Sequence, residues 1–237
     1  LHKTVHSFPT RRSSDLIGRR GAASAAAIGL LLVIYTASFL RMKPIAGRFF
    51  ALMLFTLGFV NGAVLADNLI VLLFFWEGLS IALFGMIALG EKGSFHTAVK
   101  AFVINGVADL CMMVGIVLAV SAAGTAVISQ IHLPVTGAAN VAAFLLLLAG
   151  GLAKAGCMPF HSWIPDAALD APLPFMALFP GAMEKLLGIY FVARLALDMF
   201  ALDASSWLST LMMTIGAATI LLAVLMALVQ KDFKRLL

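Results

Sequence analysis

Seven stretches of the chain carry almost no polar residue, and the polar residues between them fall in short clusters. The apolar runs cover 22–40, 49–66, 69–89, 99–121, 139–156, 173–194 and 206–229. A helix needs about 20 apolar residues to cross the hydrocarbon of a bilayer, and most of these runs reach that length. Strands of a membrane barrel would alternate apolar and polar positions. These runs are continuously apolar, which predicts helices. The expected fold class is all-α: a polytopic transmembrane helix bundle of about seven spans. One span is expected to be discontinuous. Gly150, Gly151, Pro159 and Pro165 flank Lys154, and each weakens helical bonding, so 139–167 is predicted not to form one straight helix. Breaks beside an intramembrane charge mark the discontinuous helices of transporters; a plain helix end followed by a loop is the simpler alternative.

Composition agrees with the pattern. The 237 residues are 62% hydrophobic and 11% charged, with a mean hydropathy of +1.07. A soluble domain is roughly 45–50% apolar and about 25% charged, so this chain cannot clothe a water-facing globule. The net charge of +5 comes from basic residues in short loops rather than from one patch, which argues against a nucleic-acid partner. Those loops set a direction. Arg41, Lys43, Arg48, Lys92, Lys231, Lys234 and Arg235 fall on one side; Arg19, Arg20 and Arg194 fall on the other. The more basic side is expected to be cytoplasmic, giving a multi-pass protein of a prokaryotic inner (plasma) membrane. Cys111 and Cys157 are far apart, no C-x-x-C pair or Cys/His cluster has metal-ligand spacing, and no phosphate-binding glycine motif occurs. No cofactor or metal site of its own is expected.

The first sixteen residues break the pattern. LHKTVHSFPTRRSSDL is polar and basic, and FPTRRSSDL reads as translated sequencing-adapter sequence. The expected organisation is a non-native tail over 1–16 and a transmembrane domain over 17–237. Setting aside Lys3, Arg11, Arg12 and Asp15 removes three positive charges and one negative, which takes the net charge from +5 to +3. Too little apolar surface is present in the tail to offset its ordering entropy, so it is expected to pack against nothing.

Five ionisable residues lie inside the apolar runs: Glu77, Asp109, Lys154, Glu184 and Lys185. A charge at the centre of a span costs about 2.5–3.5 kcal/mol on insertion scales. Chains keep such residues as buried ion pairs that hold helices together, or as the lining of a polar pathway. Here they occupy four predicted helices. Burial raises a carboxyl pKa and lowers a lysine pKa, so alternating carboxylates and lysines can hold and release protons near neutrality. His161, in MPFHSWIPDA, is a candidate proton donor at the membrane edge, or a loop residue bonded to backbone.

At these residues the sequence resembles a known family. ADNLIVLLFFWEG (66–78), VKAFVINGVADL (99–110), GLAKAGCMPFHSWIPDA (151–167) and ALVQKDFKRLL (227–237) are similar, in order, to segments of the antiporter-like membrane subunits of respiratory complex I. The same family holds subunits of energy-converting hydrogenases and multi-subunit sodium/proton antiporters. The resemblance implies a proton relay in which Glu77 is the carboxylate of a Glu/Lys switch, Lys154 is its partner on a broken helix, and Lys185 is the central lysine that passes protons onward. Asp109, Glu184 and His161 are further candidates. Family members have more spans than seven, so 17–237 is expected to be a partial antiporter-like domain. Three departures stand out. Gly106 replaces an arginine often found three residues before the aspartate, Pro180 replaces a common histidine, and Glu184 beside Lys185 comes with one extra residue before Gly188. PLPFMALFPGAMEKLLGIY looks closer to hydrogenase-type relatives.

The resemblance implies a proton-translocating membrane subunit of a redox-driven complex, of NADH:quinone oxidoreductase or membrane-bound hydrogenase type. It would have no catalytic centre of its own. Its partners would be the lipid bilayer, other membrane subunits and, indirectly, a soluble redox arm. One alternative is a subunit of a multi-subunit sodium/proton antiporter without redox chemistry, and another is a structural membrane module with buried ion pairs.

Overall fold

A computed structural model describes the backbone of residues 11–91 and 93–236 and the side chains of 18–91 and 93–234. The chain forms α1 (Arg11–Leu40), α2 (Ala46–Leu65), α3 (Leu69–Ala88), α4 (Ser94–Ala123), α5 (Ala138–Lys154), α6 (Ile164–Asp170), α7 (Leu173–Leu178), α8 (Glu184–Arg194), α9 (Trp207–Val229) and α10 (Phe233–Leu236). A π-turn, Phe179–Met183, joins α7 to α8, and a second, Leu195–Met199, extends α8. The two-residue strands β1 (Leu133–Pro134) and β2 (Phe200–Ala201) pair in parallel. Among the described residues six helical stretches are long and apolar enough to cross a membrane, counting Leu173–Met199 as one, with α5 as a shorter seventh. This is the multi-pass all-α bundle that the apolar pattern predicts. Of the proposed tail, residues 1–10 and the side chains of 11–16 lie outside the described residues, as do the side chains of Lys92 and Arg235.

Local chemistry sets the helix ends. Asn68 caps α3, its side chain accepting from the amides of Ile70 and Val71. Gly93 and Gly124, both at positive φ, bracket α4. On one face of the bundle the α2–α3 turn is pinned to the 125–130 loop: Asp67 accepts from the Ser129 amide and hydroxyl, and the Leu69 amide donates to the Ala126 carbonyl. Arg194 lies beside Asp67 and Asp198 and donates to the Tyr190 hydroxyl. On the opposite face Lys100 pairs with Asp166 at 2.6 Å. Between these faces most side chains are apolar, apart from a few buried polar and charged residues. Trp76, Trp163, Phe49, Phe144 and Phe175 are fully buried, while Leu30, Phe74, Val117 and Leu228 point outward. Such an outer surface would be a liability in water and suits lipid tails.

The predicted break exists, but its cause differs from the expectation. Gly150 and Gly151 stay helical inside α5. They are there for close packing: a Cβ on Gly150 would lie 2.8 Å from Met112 Cβ of α4, and one on Gly151 2.7 Å from Val192 Cγ2 of α8. The helix stops after Lys154. Gly156 takes φ +70°, the Gly156 amide donates to the Ala153 carbonyl, and the Cys157 amide donates to the Leu152 carbonyl. This is a Schellman ending, which a glycine adopts without steric cost. A 3₁₀ turn, Phe160–Trp163, then leads into α6. At about 1.5 Å per residue, the 17 residues of α5 fall short of the roughly 30 Å of hydrocarbon.

Candidate functional site

Lys154 ends α5 in the interior of the bundle, with its side chain fully buried. The carboxyl end of a helix carries partial negative charge, which favours a cation there. Three helices meet its ammonium. Nζ donates to Ser80 Oγ of α3 at 2.7 Å and lies 3.9 Å from Asp109 Oδ2 of α4 and 3.9 Å from Glu184 Oε1 of α8. The indole face of Trp76 is 5.7 Å away, within the range of a cation–π contact.

Asp109 is held from α3 by two donors. Trp76 Nε1 donates to Oδ1 at 2.7 Å and Ser80 Oγ to Oδ2 at 3.0 Å. Trp76 and Ser80 are four residues apart and therefore share a helix face. The absence of an arginine at position 106 thus leaves Asp109 well partnered. Ser80 is the bridge: it accepts from Lys154 while donating to Asp109. A Cβ on Gly106 would touch nothing within 4 Å, because this position opens on a groove.

Glu77 sits one position round α3 from Trp76, a rotation of about 100°. That turns it toward the grooves along α4 and α2. Its partnership with Lys154 is not realised as a direct ion pair; Asp109 and Glu184 occupy that role. Glu77 is half-buried, and its Oε1 is buried with no hydrogen-bond partner among the described residues. It lines two outer grooves. One, of about 360 Å³, runs along α4 past Phe102, Gly106 and Asp109; the other, of about 540 Å³, runs along α2 past Phe55 and Phe59.

The remaining candidates divide. Glu184 is buried in the cluster, and its Oε1 has no hydrogen-bond partner among the described residues. Lys185 is exposed on α8, with its charge close enough to act on the Cys157 thiol just beyond the break. His161 lies in the 3₁₀ turn beyond the break, half-buried, with Nδ1 unpartnered among the described residues. Sequence reasoning missed Ser80 and Trp76. The one signal available was their four-residue spacing around Glu77.

Residues 66–237 match the family described as "NADH:quinone oxidoreductase/Mrp antiporter, TM". The chain is 32% identical over 219 residues to the Na(+)/H(+) antiporter subunit A1 of Staphylococcus haemolyticus, covering 89% of this chain and 26% of that protein. It is 34% identical over 225 residues to the chloroplastic NAD(P)H-quinone oxidoreductase subunit 5 of Adiantum capillus-veneris, covering 88% and 30%. Its fold is similar to part of the Mrp complex from Dietzia sp. DQ12-45-1b, with a TM-score of 0.85 and 27% identity over 94% of this chain and 25% of that one. The chain spans between a quarter and a third of the length of these relatives. By the extent of these matches, it belongs to the NADH:quinone oxidoreductase/Mrp antiporter transmembrane family.

Proposed function

We propose that the chain is the proton-conducting core of a membrane subunit in a redox-driven complex, working beside other membrane subunits within a lipid bilayer. The single observation that carries this reading is the fully buried Lys154 joined to Asp109 through the Ser80 hydroxyl. In this arrangement Ser80 takes a proton from Lys154 Nζ as it gives its own to Asp109 Oδ2. One N–H and one O–H break, two O–H bonds form, and the hydroxyl is restored. Glu77, at the edge of the cluster, is suited to exchange protons with the outer grooves. A positioned acid or base of this kind contributes roughly 10²–10⁴-fold to a proton-transfer rate.

A sodium/proton antiporter is the second reading, favoured by the similarity to the antiporter subunit A1. The centre itself argues for protons, because an ammonium has three donors and no lone pair with which to hold sodium. The test uses the full-length protein in its complex, in sealed vesicles. Lys154→Ala and Glu77→Gln should each cut proton translocation by roughly a hundredfold with the complex assembled. Lys43→Ala, at an exposed position, should not. Normal pumping by an assembled Lys154→Ala complex would refute the relay. Pumping that runs on an imposed sodium gradient without electron transfer would favour the antiporter.

A further inference from the structure

We propose that Glu184, and not Lys185, is the group on α8 that exchanges protons with Lys154, so that the relay passes from an ammonium to a carboxylate at this step. The inference rests on the proton-relay reading and deepens it.

Register decides which of the two residues faces inward. A π-turn holds one more residue than the α-helical turn it replaces, and it resets which side chains face the core. Phe179–Met183 is such a turn, and α8 begins directly after it at Glu184. Beyond the turn the helix has no freedom to rotate. A Cβ on Gly188 would lie against the Ala155 amide and 2.7 Å from the Gly151 carbonyl oxygen, so Gly188 must face α5. Glu184 is four residues before Gly188 and seven before Phe191, whose ring packs edge-on to Trp76 with centroids 5.3 Å apart. These three residues form one inward stripe. Lys185 shares its face with Ile189, which is 58% exposed. The extra residue before Gly188 is thus absorbed by the π-turn, and the inward position falls to a carboxylate.

Burial and charge point the same way. Glu184 is 2% exposed, its Oε1 stands 3.9 Å from Lys154 Nζ, and that oxygen has no hydrogen-bond partner among the described residues. It is an acceptor with a donor waiting beside it. The charged groups facing it are Lys154 from α5 and, behind that ammonium, Asp109 from α4. A lysine here would repel Lys154, and charge on one would drive the proton off the other. A carboxylate instead holds Lys154 in its charged form until a proton moves. In that step an N–H bond of Lys154 breaks and an O–H bond forms on Glu184, leaving a neutral amine beside a neutral acid. Once Asp109 has taken a proton by way of Glu77, which lines the same groove, the Ser80 step runs in reverse: the Asp109 O–H and the Ser80 O–H break, a new Ser80 O–H and a Lys154 N–H form, and Lys154 is charged again.

The test again uses the full-length protein in its complex, with translocation in sealed vesicles and difference infrared spectra of the carboxylic C=O stretch. Glu184→Gln should slow translocation by roughly a hundredfold and remove one protonated-carboxyl band. Lys185→Gln removes a charge that does not face Lys154, so it should leave the carboxyl band in place and retain most of the rate. Glu184→Asp retains the charge that Lys154 needs, so it guards against failure of the glutamine variant to assemble; it should shift the same band and retain part of the rate. Normal translocation in Glu184→Gln with loss in Lys185→Gln would overturn the proposal and return the role to lysine. So would a carboxyl band unchanged in Glu184→Asp. Normal translocation in Lys154→Ala would instead refute the relay as a whole, which keeps the two failures distinguishable.

Discussion

At the scale of single residues, the site depends on an uncharged hydroxyl. Ser80 accepts from Lys154 and donates to Asp109, and removing it leaves a buried donor without its partner. A loss of this kind costs about 1–3 kcal/mol. Ser80→Ala should therefore lower the thermal stability of the assembled complex and slow translocation together, whereas Ser80→Thr, which retains the hydroxyl, should recover most of the rate. Translocation unchanged in Ser80→Ala would show that Lys154 and Asp109 communicate without it. Lys154 and Asp109 were legible in the sequence because a charge in an apolar run has few explanations. Ser80 was not, since a serine in a helix usually bonds its own backbone and signals nothing. The choice between Glu184 and Lys185 was also illegible. Adjacent helical residues point about 100° apart, and a π-turn that resets their direction leaves no composition signature.

At the scale of elements, the apolar pattern located the spans because each must match the thickness of the bilayer, a constraint that acts on composition alone. Where α5 ends was harder to read. Gly150 and Gly151 suggested a break, yet they are the small residues that let α5 approach α4 and α8, as membrane helices do when no hydrophobic force drives them together. The ending belongs to Gly156, at φ +70°. Gly188 carries the closest approach of α8 to α5, and a larger side chain there must push α8 off α5 and pull Glu184 away from Lys154. Gly188→Val should destabilise the bundle by at least the ~1–3 kcal/mol of an overpacked core, seen as less assembled complex at a given temperature. Gly216→Ala, in α9 with nothing within 4 Å of its Cβ, should be neutral or mildly stabilising, by up to about 1 kcal/mol from helix propensity. Equal assembly of the two variants would mean that α5 and α8 are not locked by their glycines.

At the scale of the whole molecule, the two faces of the bundle differ in free positive charge. Arg41, Lys43, Arg48, Lys231 and Lys234 are exposed around the α1–α2 turn and the end of α9. On the opposite face Arg194 is buried against Asp198 and Asp67, which leaves Arg19 and Arg20 as the exposed basic side chains described there. The basic face should therefore be cytoplasmic. The orientation of the later helices also depends on whether α5, with 17 residues and a break behind it, counts as a crossing. Between Met42 and Ser205 the chain runs through α2, α3, α4, α5 and the α7–α8 rod, five crossings in all, so the two positions must lie on opposite sides. Both are exposed, Met42 at 92%. In a variant with Cys111 and Cys157 replaced by alanine, Met42→Cys should react with a membrane-impermeant maleimide in inverted vesicles and Ser205→Cys in right-side-out vesicles. The reverse pattern would overturn the orientation while sparing the fold. Labelling of both positions from the same side would mean that α5 turns back within the membrane, and the depth assigned to Lys154 would fall with it.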